Sequence, residues 1–169
     1  MKKNIILSVI GPDKSGIVSD VSKFVKSCSG NIEKSRMIRL EDYFTIMVQI
    51  NIQKDEIKNL EQNLTNYSNY TFSIHDLEST DNNNNEDVHI VHLNGIDNEG
   101  IVYKITNELA KLNINIEELE TNLDNAPMSG LSLFSLKAKI SHSKLNLEAL
   151  EKSMDKLAAE LDVNINIEN

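Results

Sequence analysis

Apolar and polar residues along this chain switch between two periods, and each switch marks an element. Asn4–Ile10 is a short apolar run (Ile5, Ile6, Leu7, Val9, Ile10) closed by Gly11-Pro12, the pattern of a buried strand. A helical period follows. Ile17, Val18, Val21, Phe24, Val25 and Cys28 share one face of about three turns, with Asp13 or Ser15 placed to cap the start and Ser29-Gly30 to end it. Asn31–Leu40 and Tyr43–Ile52 form a hairpin turning at Glu41-Asp42, and the second strand alternates cleanly: Phe44, Ile46, Val48, Ile50 and Ile52 on one face, Thr45, Gln49 and Asn51 on the other. Asp55 is placed to cap a second helix with Ile57, Leu60, Leu64 and Tyr67 on its apolar side, and Tyr70–Leu77 is a closing strand.

The same order then recurs. Val88–Asn94 is a strand, Glu99–Leu112 a helix, Asn115–Leu123 and Leu131–Ile140 strands, Leu147–Leu161 a helix and Val163–Ile167 a last strand. The recurrence extends to residues. Gly11-Pro12-Asp13-Lys14-Ser15-Gly16-Ile17-Val18 and Gly95-Ile96-Asp97-Asn98-Glu99-Gly100-Ile101-Val102 share the pattern G-x-D-x-x-G-I-V. At the same offset Val21 falls on Ile105, Val25 on Leu109, Cys28 on Leu112, and Asn31-Ile32-Glu33 on Asn115-Ile116-Glu117. So many matches in one register indicate an internal duplication. The organisation expected is two domains, 1–78 and 87–169, with residues 79–86, rich in asparagine, as a solvated linker. The copies differ most in the hairpin, where the second has six extra residues around Asp124–Gly130, too many for a tight turn. A β-α-β-β-α-β unit makes an α+β, ferredoxin-like sandwich, with a four-stranded antiparallel sheet and two helices on one face.

Charge narrows the function. The net charge is −9, and it is uneven. Residues 1–84 hold 10 basic and 11 acidic side chains, whereas residues 85–169 hold 7 and 15. A chain this acidic, with Arg36 and Arg39 as its only arginines, is poorly suited to gripping nucleic-acid phosphates. The single cysteine, Cys28, rules out an intramolecular disulfide, and its counterpart Leu112 points to a core position. The opening run is too short and too soon broken by Ser8 and Gly-Pro for an export signal, and no run is long enough to span a membrane. A cytoplasmic protein is expected. His89 and His92 fall on opposite faces of one strand, and His75 and His142 are isolated, so no metal site is expected. Arg36 and Arg39 likewise face opposite ways. No nucleophile–base pair or carboxylate dyad stands out, so neither catalysis nor a cofactor is expected.

The glycine-bearing corner between first strand and first helix is the candidate chemistry. Its missing side chains would let a small anion approach the helix N-terminus, where the dipole favours a carboxylate; alternatively, Gly16 and Gly100 permit tight helix–sheet packing. Asp13 and Asp97 suit either a ligand ammonium or a turn. Asn31 and Asn115 suit either a ligand or a post-helix turn.

These residues also carry a resemblance. The loop, the helix and the Asn-Ile that opens the next strand resemble the ACT regulatory domain, twice over. Ser27–Arg36 with Phe44-Thr45-Ile46-Met47, and Ala126-Pro127-Met128-Ser129-Gly130 with Leu133-Phe134, look more narrowly like the glycine cleavage system transcriptional repressor family and its tandem-ACT relatives. The resemblance implies a non-catalytic, homo-oligomeric sensor that binds a small amino acid where two domains meet. One domain would supply its loop: Gly11, Asp13, Gly16 and Ile17, or Gly95, Asp97, Gly100 and Ile101. Its neighbour would supply a strand start: Asn31 and Ile32, or Asn115 and Ile116. It also implies action through a protein partner such as a DNA-binding activator, with no direct contact to nucleic acid or membrane. The loops depart from the family's common Asp-Arg-Pro-Gly, reading Asp-Lys-Ser-Gly and Asp-Asn-Glu-Gly. Glu99 adds negative charge at the second corner, and Ile114 stands where the first copy has Gly30, which points to a structural role for copy two. An interaction-only protein without ligand, and a free-standing regulatory subunit of an amino-acid-metabolic enzyme, are the alternatives.

Overall fold

The computed structural model describes residues 1–67, 69–77, 87–125 and 130–168. The linker expected at 79–86 and most of the Pro127–Gly130 loop lie outside the described residues. The chain divides into two compact units, Met1–Asp81 and Asn82–Asn169.

Unit one consists of β1 (Lys2–Pro12), α1 (Ile17–Ser27), β2 (Asn31–Leu40), β3 (Tyr43–Gln53), α2 (Ile57–Thr65, entered through a 3-10 turn) and β4 (Thr71–Asp76). Its strands pair antiparallel in the order β2-β3-β1-β4. The period-two pattern is what divides the faces. Ile5, Leu7 and Val9 of β1 and Ile46, Val48, Ile50 and Ile52 of β3 are buried with Val21 and Val25 of α1 and Leu60 and Leu64 of α2. Cys28 is in this core, as its apolar counterpart suggested.

Unit two repeats the plan with β5 (Asp87–Ile96), α3 (Ile101–Lys111), β6 (Asn115–Asn125), β7 (Ser132–His142), α4 (Leu147–Leu161) and β8 (Val163–Glu168), in the order β6-β7-β5-β8. Val91, Leu93, Ile105, Leu109, Leu136, Ile140, Leu150 and Met154 make its core. The duplication reaches fine detail. β2 and β6 both shift register just after their second residue, at Ile32/Lys34 and Ile116/Glu118. Both first helices end in a residue with left-handed backbone, Ser29 (φ 53°) and Asn113 (φ 55°). In each, that residue and the next turn their N–H groups back onto the last turn: Ser29 to Lys26 and Gly30 to Val25, Asn113 to Ala110 and Ile114 to Leu109. This double bond satisfies carbonyls the helix would leave orphaned.

Several local expectations are corrected. β1 continues through Gly11 and Pro12, which face Phe44 and Tyr43. Proline is tolerated there because pairing with β4 has already stopped at Ile10. Neither Asp13 nor Ser15 caps α1: the cap position is Gly16, with no side-chain bond. Asp55 lies inside the 3-10 turn and does not cap α2. α3 starts at Ile101 because Gly100, at φ 78°, cannot be helical. Asn146 does cap α4, accepting from the Ala149 N–H at 3.0 Å.

Candidate functional site

The two duplicated glycines of each corner answer to different constraints. A Cβ on Gly11 would run into the Tyr70 ring and stand 2.8 Å from the Asn69 carbonyl oxygen; one on Gly95 would stand 2.5 Å from a Val163 methyl. These glycines admit the start of the unit's last strand against the end of its first. Gly16 (φ 93°) and Gly100 (φ 78°) meet nothing within 4 Å. Their reason is backbone conformation, since a left-handed φ is costly for any residue with a Cβ. The expectation of tight packing at Gly16 and Gly100 is therefore not met, because the space beside them is open; it is Gly11 and Gly95 that stand against packed neighbours. Ile17 and Ile101, the first helical residues, point inward and are buried.

Around the first corner the chain's own side chains converge. The Asp13 N–H donates to the Asp42 carbonyl at 2.8 Å, and its carboxylate lies 3.5 Å from Arg39, tying the loop to the β2–β3 hairpin. On the other flank, Tyr67 and Tyr70 stack at 4.8 Å, Phe24 meets Tyr67 edge-on at 5.2 Å, and the Lys14 ammonium sits 4.5 Å from the Tyr67 ring centroid. The Tyr70 hydroxyl donates to the Pro12 carbonyl at 2.8 Å, and the Tyr67 hydroxyl donates to Asp20. That hydrogen bond holds the Asp20 carboxyl below its ordinary pKa. Burial, followed by the same bond, pushes the Tyr67 phenol up. Contact with Tyr67 also raises Lys14. Pro12, Lys14, Asn66, Tyr67, Asn69 and Tyr70 leave a cleft of about 280 Å³.

The second corner has the same walls and other contents. Asn69 (φ 78°) and Asp162 (φ 53°) hold the matching left-handed position before the last strand, so Glu160 stands where unit one has Tyr67 and Val163 where it has Tyr70. The cleft grows to about 490 Å³, lined by Ile96, Asn98, Glu99, Lys104, Glu160, Leu161 and Asp162. Asn98 donates to the carbonyls of Ile96 (3.4 Å) and Leu161 (3.3 Å), and Lys104 pairs with Glu160 at 3.0 Å. Asp97 is anchored through its N–H to the Ser132 carbonyl. Sequence reasoning missed this flank in both units. Its residues come from three separate segments, and only Tyr67 at the end of an apolar helical face hinted at it.

The strand starts lie elsewhere. Asn31 faces Asn51, which faces Asn4 near the beginning of β1, whereas Gly11 near its end faces Phe44. Asn115 faces Ser141, which faces Val88, whereas Gly95 faces Phe134. In each unit the loop and the strand start are thus seven residues apart along the first strand, roughly 23 Å at about 3.3 Å per residue. Neither unit brings its own Asn-Ile to its own loop. Asn31 and Asn115 are exposed, while Ile32 and Ile116 pack partly against their cores. Among the described residues, no three His, Cys, Asp or Glu side chains are grouped to hold a metal ion, and no helix is long and apolar enough to cross a membrane.

Comparison with known proteins bears on the family and the fold. The ACT domain family profile matches residues 3–71. A protein from Galdieria sulphuraria described as unknown superposes with a TM-score of 0.85 at 30% identity, over 99% of this chain and 98% of that one. A candidate glycine cleavage system transcriptional repressor superposes with a TM-score of 0.72 at 20% identity, over 100% and 99%, a likeness of fold. A UPF0237 protein of Methanococcus maripaludis is 38% identical over 52 residues, which span 31% of this chain and 58% of that protein.

Proposed function

The chain belongs to the ACT-domain family, and from that premise we propose that it is a non-catalytic cytoplasmic regulator that senses a small amino acid and acts through a protein partner. The partner class proposed is a DNA-binding activator, and the process is transcription of amino-acid metabolism, glycine cleavage first among the candidates. The observation that carries this reading is the doubled corner. In both units a helix N-terminus opens beside a left-handed glycine with free space around it, where backbone N–H groups and the helix dipole suit a carboxylate. The half-sites lie at opposite ends of each sheet, so an amino acid that touched a loop and an Asn-Ile pair would bridge two modules. It would then favour one assembly over another by its differential affinity.

A thermal-unfolding series with each common amino acid tests this. A ligand at about 100 times its Kd adds roughly 2.7 kcal/mol of stability, several degrees for a chain of this size. Absence of a shift with every amino acid would overturn the sensing function. The interaction-only alternative has its own support: Arg39 already faces Asp13 at 3.5 Å, and aromatic rings crowd the first corner. Capture of the same partner with and without amino acid separates the two readings, because only a sensor changes its capture with ligand.

A further inference from the structure

Each unit serves as a control for the other on the sheet face that turns away from the helices. In unit one that face carries Ile10 of β1, Ile38 and Leu40 of β2, and Tyr43 and Met47 of β3. These side chains are between 48% and 73% exposed. At the matching positions unit two has Asn94, Asn122, Asp124, Leu133 and Lys137, polar at all but one. The fold therefore does not require hydrocarbon there, and an exposed apolar patch without a folding role marks contact with a partner. Farther along the same strands Lys34 and Arg36 face Gln49 and Met47, where unit two has Glu118 and Glu120. Those two cations, with Ile6, Ser35, Met47 and Gln49, line a shallow groove of about 410 Å³. We infer that this face of unit one docks an amphipathic helix of a protein partner, with its apolar stripe on Ile10, Ile38 and Met47 and acidic residues at one end against Lys34 and Arg36.

Dimensions select a helix. The strip crosses the neighbouring strands β1, β3 and β2, about 10 Å at roughly 4.8 Å per strand, which is the width of one helix with its side chains. From Lys34 to Leu40 it runs roughly 20 Å at about 3.3 Å per residue, the length of a helix of about 13 residues. α1 and α2 cover the other face of this sheet, so a helix on the open face completes a helix–sheet–helix layering. Charge sets the direction. The chain as a whole carries −9, yet one end of the strip offers Lys34 and Arg36, while Glu41 and Asp42 of the hairpin turn stand at the other. Glu33, at the bulge beside the cations, accepts from the Gln49 amide at 2.7 Å. An acidic helix end is drawn to the cations, whereas an anionic bilayer repels a chain of this net charge. The matching face of unit two in a second copy is no substitute, because its asparagines would lose water against hydrocarbon without compensation.

The hairpin end of the strip adjoins the first corner, where Pro12 faces Tyr43 and the Asp13 N–H donates to the Asp42 carbonyl. A docked helix and a ligand at that corner would be neighbours, which gives linkage between them a short path. The docking surface rests on the proposed function only for the existence of a protein partner. It uses neither left-handed glycine and neither Asn-Ile pair, so a failure of the amino-acid series leaves it standing.

The test places the photo-crosslinking residue benzoylphenylalanine in place of Met47 in the full chain, in cells of the source organism and without added amino acid. Mass spectrometry then identifies the linked peptide. The expected product is a segment of a partner protein with apolar residues at helical spacing and acidic residues at one end. The same probe in place of Lys137, the matching position of unit two, should give no such product. Ile10→Asn with Ile38→Asn and Leu40→Asp copies the face of unit two onto unit one and should cut the yield about tenfold or more, as loss of several anchors does. Lys34→Glu with Arg36→Glu should cut it in part. Thermal melts check that both variants fold, and the charge variant decides alone if the apolar one does not. A label that is absent, or found only within the chain, on a second copy, on lipid or on a segment lacking that pattern, overturns the docking. So does a yield that the folded variants leave unchanged.

Discussion

Substituting the corner glycines separates two physical reasons for the same residue. Gly16 sits at φ 93° with nothing within 4 Å of an added Cβ, so a replacement suffers from backbone conformation alone. Left-handed geometry costs a residue with a Cβ about 1–2 kcal/mol, and asparagine tolerates it better than alanine. Gly16→Ala should therefore lower the midpoint of unit one by about 4–8 °C for each kcal/mol lost. Gly16→Asn should recover part of that loss, and Gly16→Val should be worst, because branching at Cβ crowds this region further. Gly11 carries the opposite signature. Its Cβ would meet the Tyr70 ring and the Asn69 carbonyl, an overpacking that costs about 1–3 kcal/mol whatever the backbone tolerance of the newcomer. There Asn should be no better than Ala. Urea unfolding followed by tyrosine fluorescence in a Tyr103→Phe background reports on unit one, which holds Tyr43 and the stacked Tyr67 and Tyr70. If asparagine and alanine were equally damaging at position 16, or if asparagine rescued position 11, the assignment of reasons would be wrong.

Tyr67→Phe removes the hydroxyl that donates to Asp20. The Asp20 carboxyl is held low in the fold, so its contribution is present above the ordinary value of 3.8 and fades as pH falls through the lowered one. Tyr67 and Lys14 are raised, so theirs is present below the ordinary values near 10.0 and 10.5 and fades as pH rises through the raised ones. The variant should flatten the melting temperature against pH at both ends and leave neutral pH the region of largest loss; unchanged slopes would refute the coupling. Ser29→Gly should stabilise by about 0.5–1 kcal/mol, since serine holds a left-handed φ that glycine adopts freely. Asn113→Gly should gain less, because asparagine already tolerates it, and paired thermal melts check the order. Asn31→Ala and Asn115→Ala, at exposed positions, should leave melting within about 0.5 kcal/mol but weaken amino-acid binding in calorimetry. Unchanged affinity would make them turn residues only. If a second chain completes the site, apparent ligand affinity should tighten with protein concentration, and calorimetry at two concentrations decides.

The sheet pattern was legible because alternation and helical period are local. Ile46, Val48, Ile50 and Ile52 could only face one way, and the shared offset carried that reading from one copy to the other. The corners were half legible. Glycine at both positions was visible, but which of the two was packed depended on Tyr70 and Val163, far along the chain. Asp13 looked like a helix cap because caps are read from the few residues beside a helix. In the fold its carboxylate is engaged by Arg39 across the hairpin, and the left-handed turn at Gly16 gives the helix its start without it. The Lys14–Tyr67–Tyr70 cluster left only Tyr67 as a periodic trace, since its members meet through the packing of loop, helix end and last strand.

On the proposed reading, the separation of half-sites is what would let a ligand at the corner act on the joining of modules. A pocket complete within one unit would take its ligand with no consequence for any other module. Here the loop and the Asn-Ile pair of one unit stand roughly 23 Å apart along a strand rising about 3.3 Å per residue, and the sheet between them carries a buried row of aliphatic side chains. Nothing the length of an amino acid spans that distance, so contact with both groups requires a loop from one module and a strand from another. Binding energy gained from both is then gained only in the joined state, and by linkage the joining must in turn strengthen binding by the same factor. Duplication supplied two such loops and two such strands, and divergence gave the strands opposite charge while leaving both left-handed glycines in place. On the proposed reading, such a sensor would need no moving part inside a unit: its response would be the joining of modules.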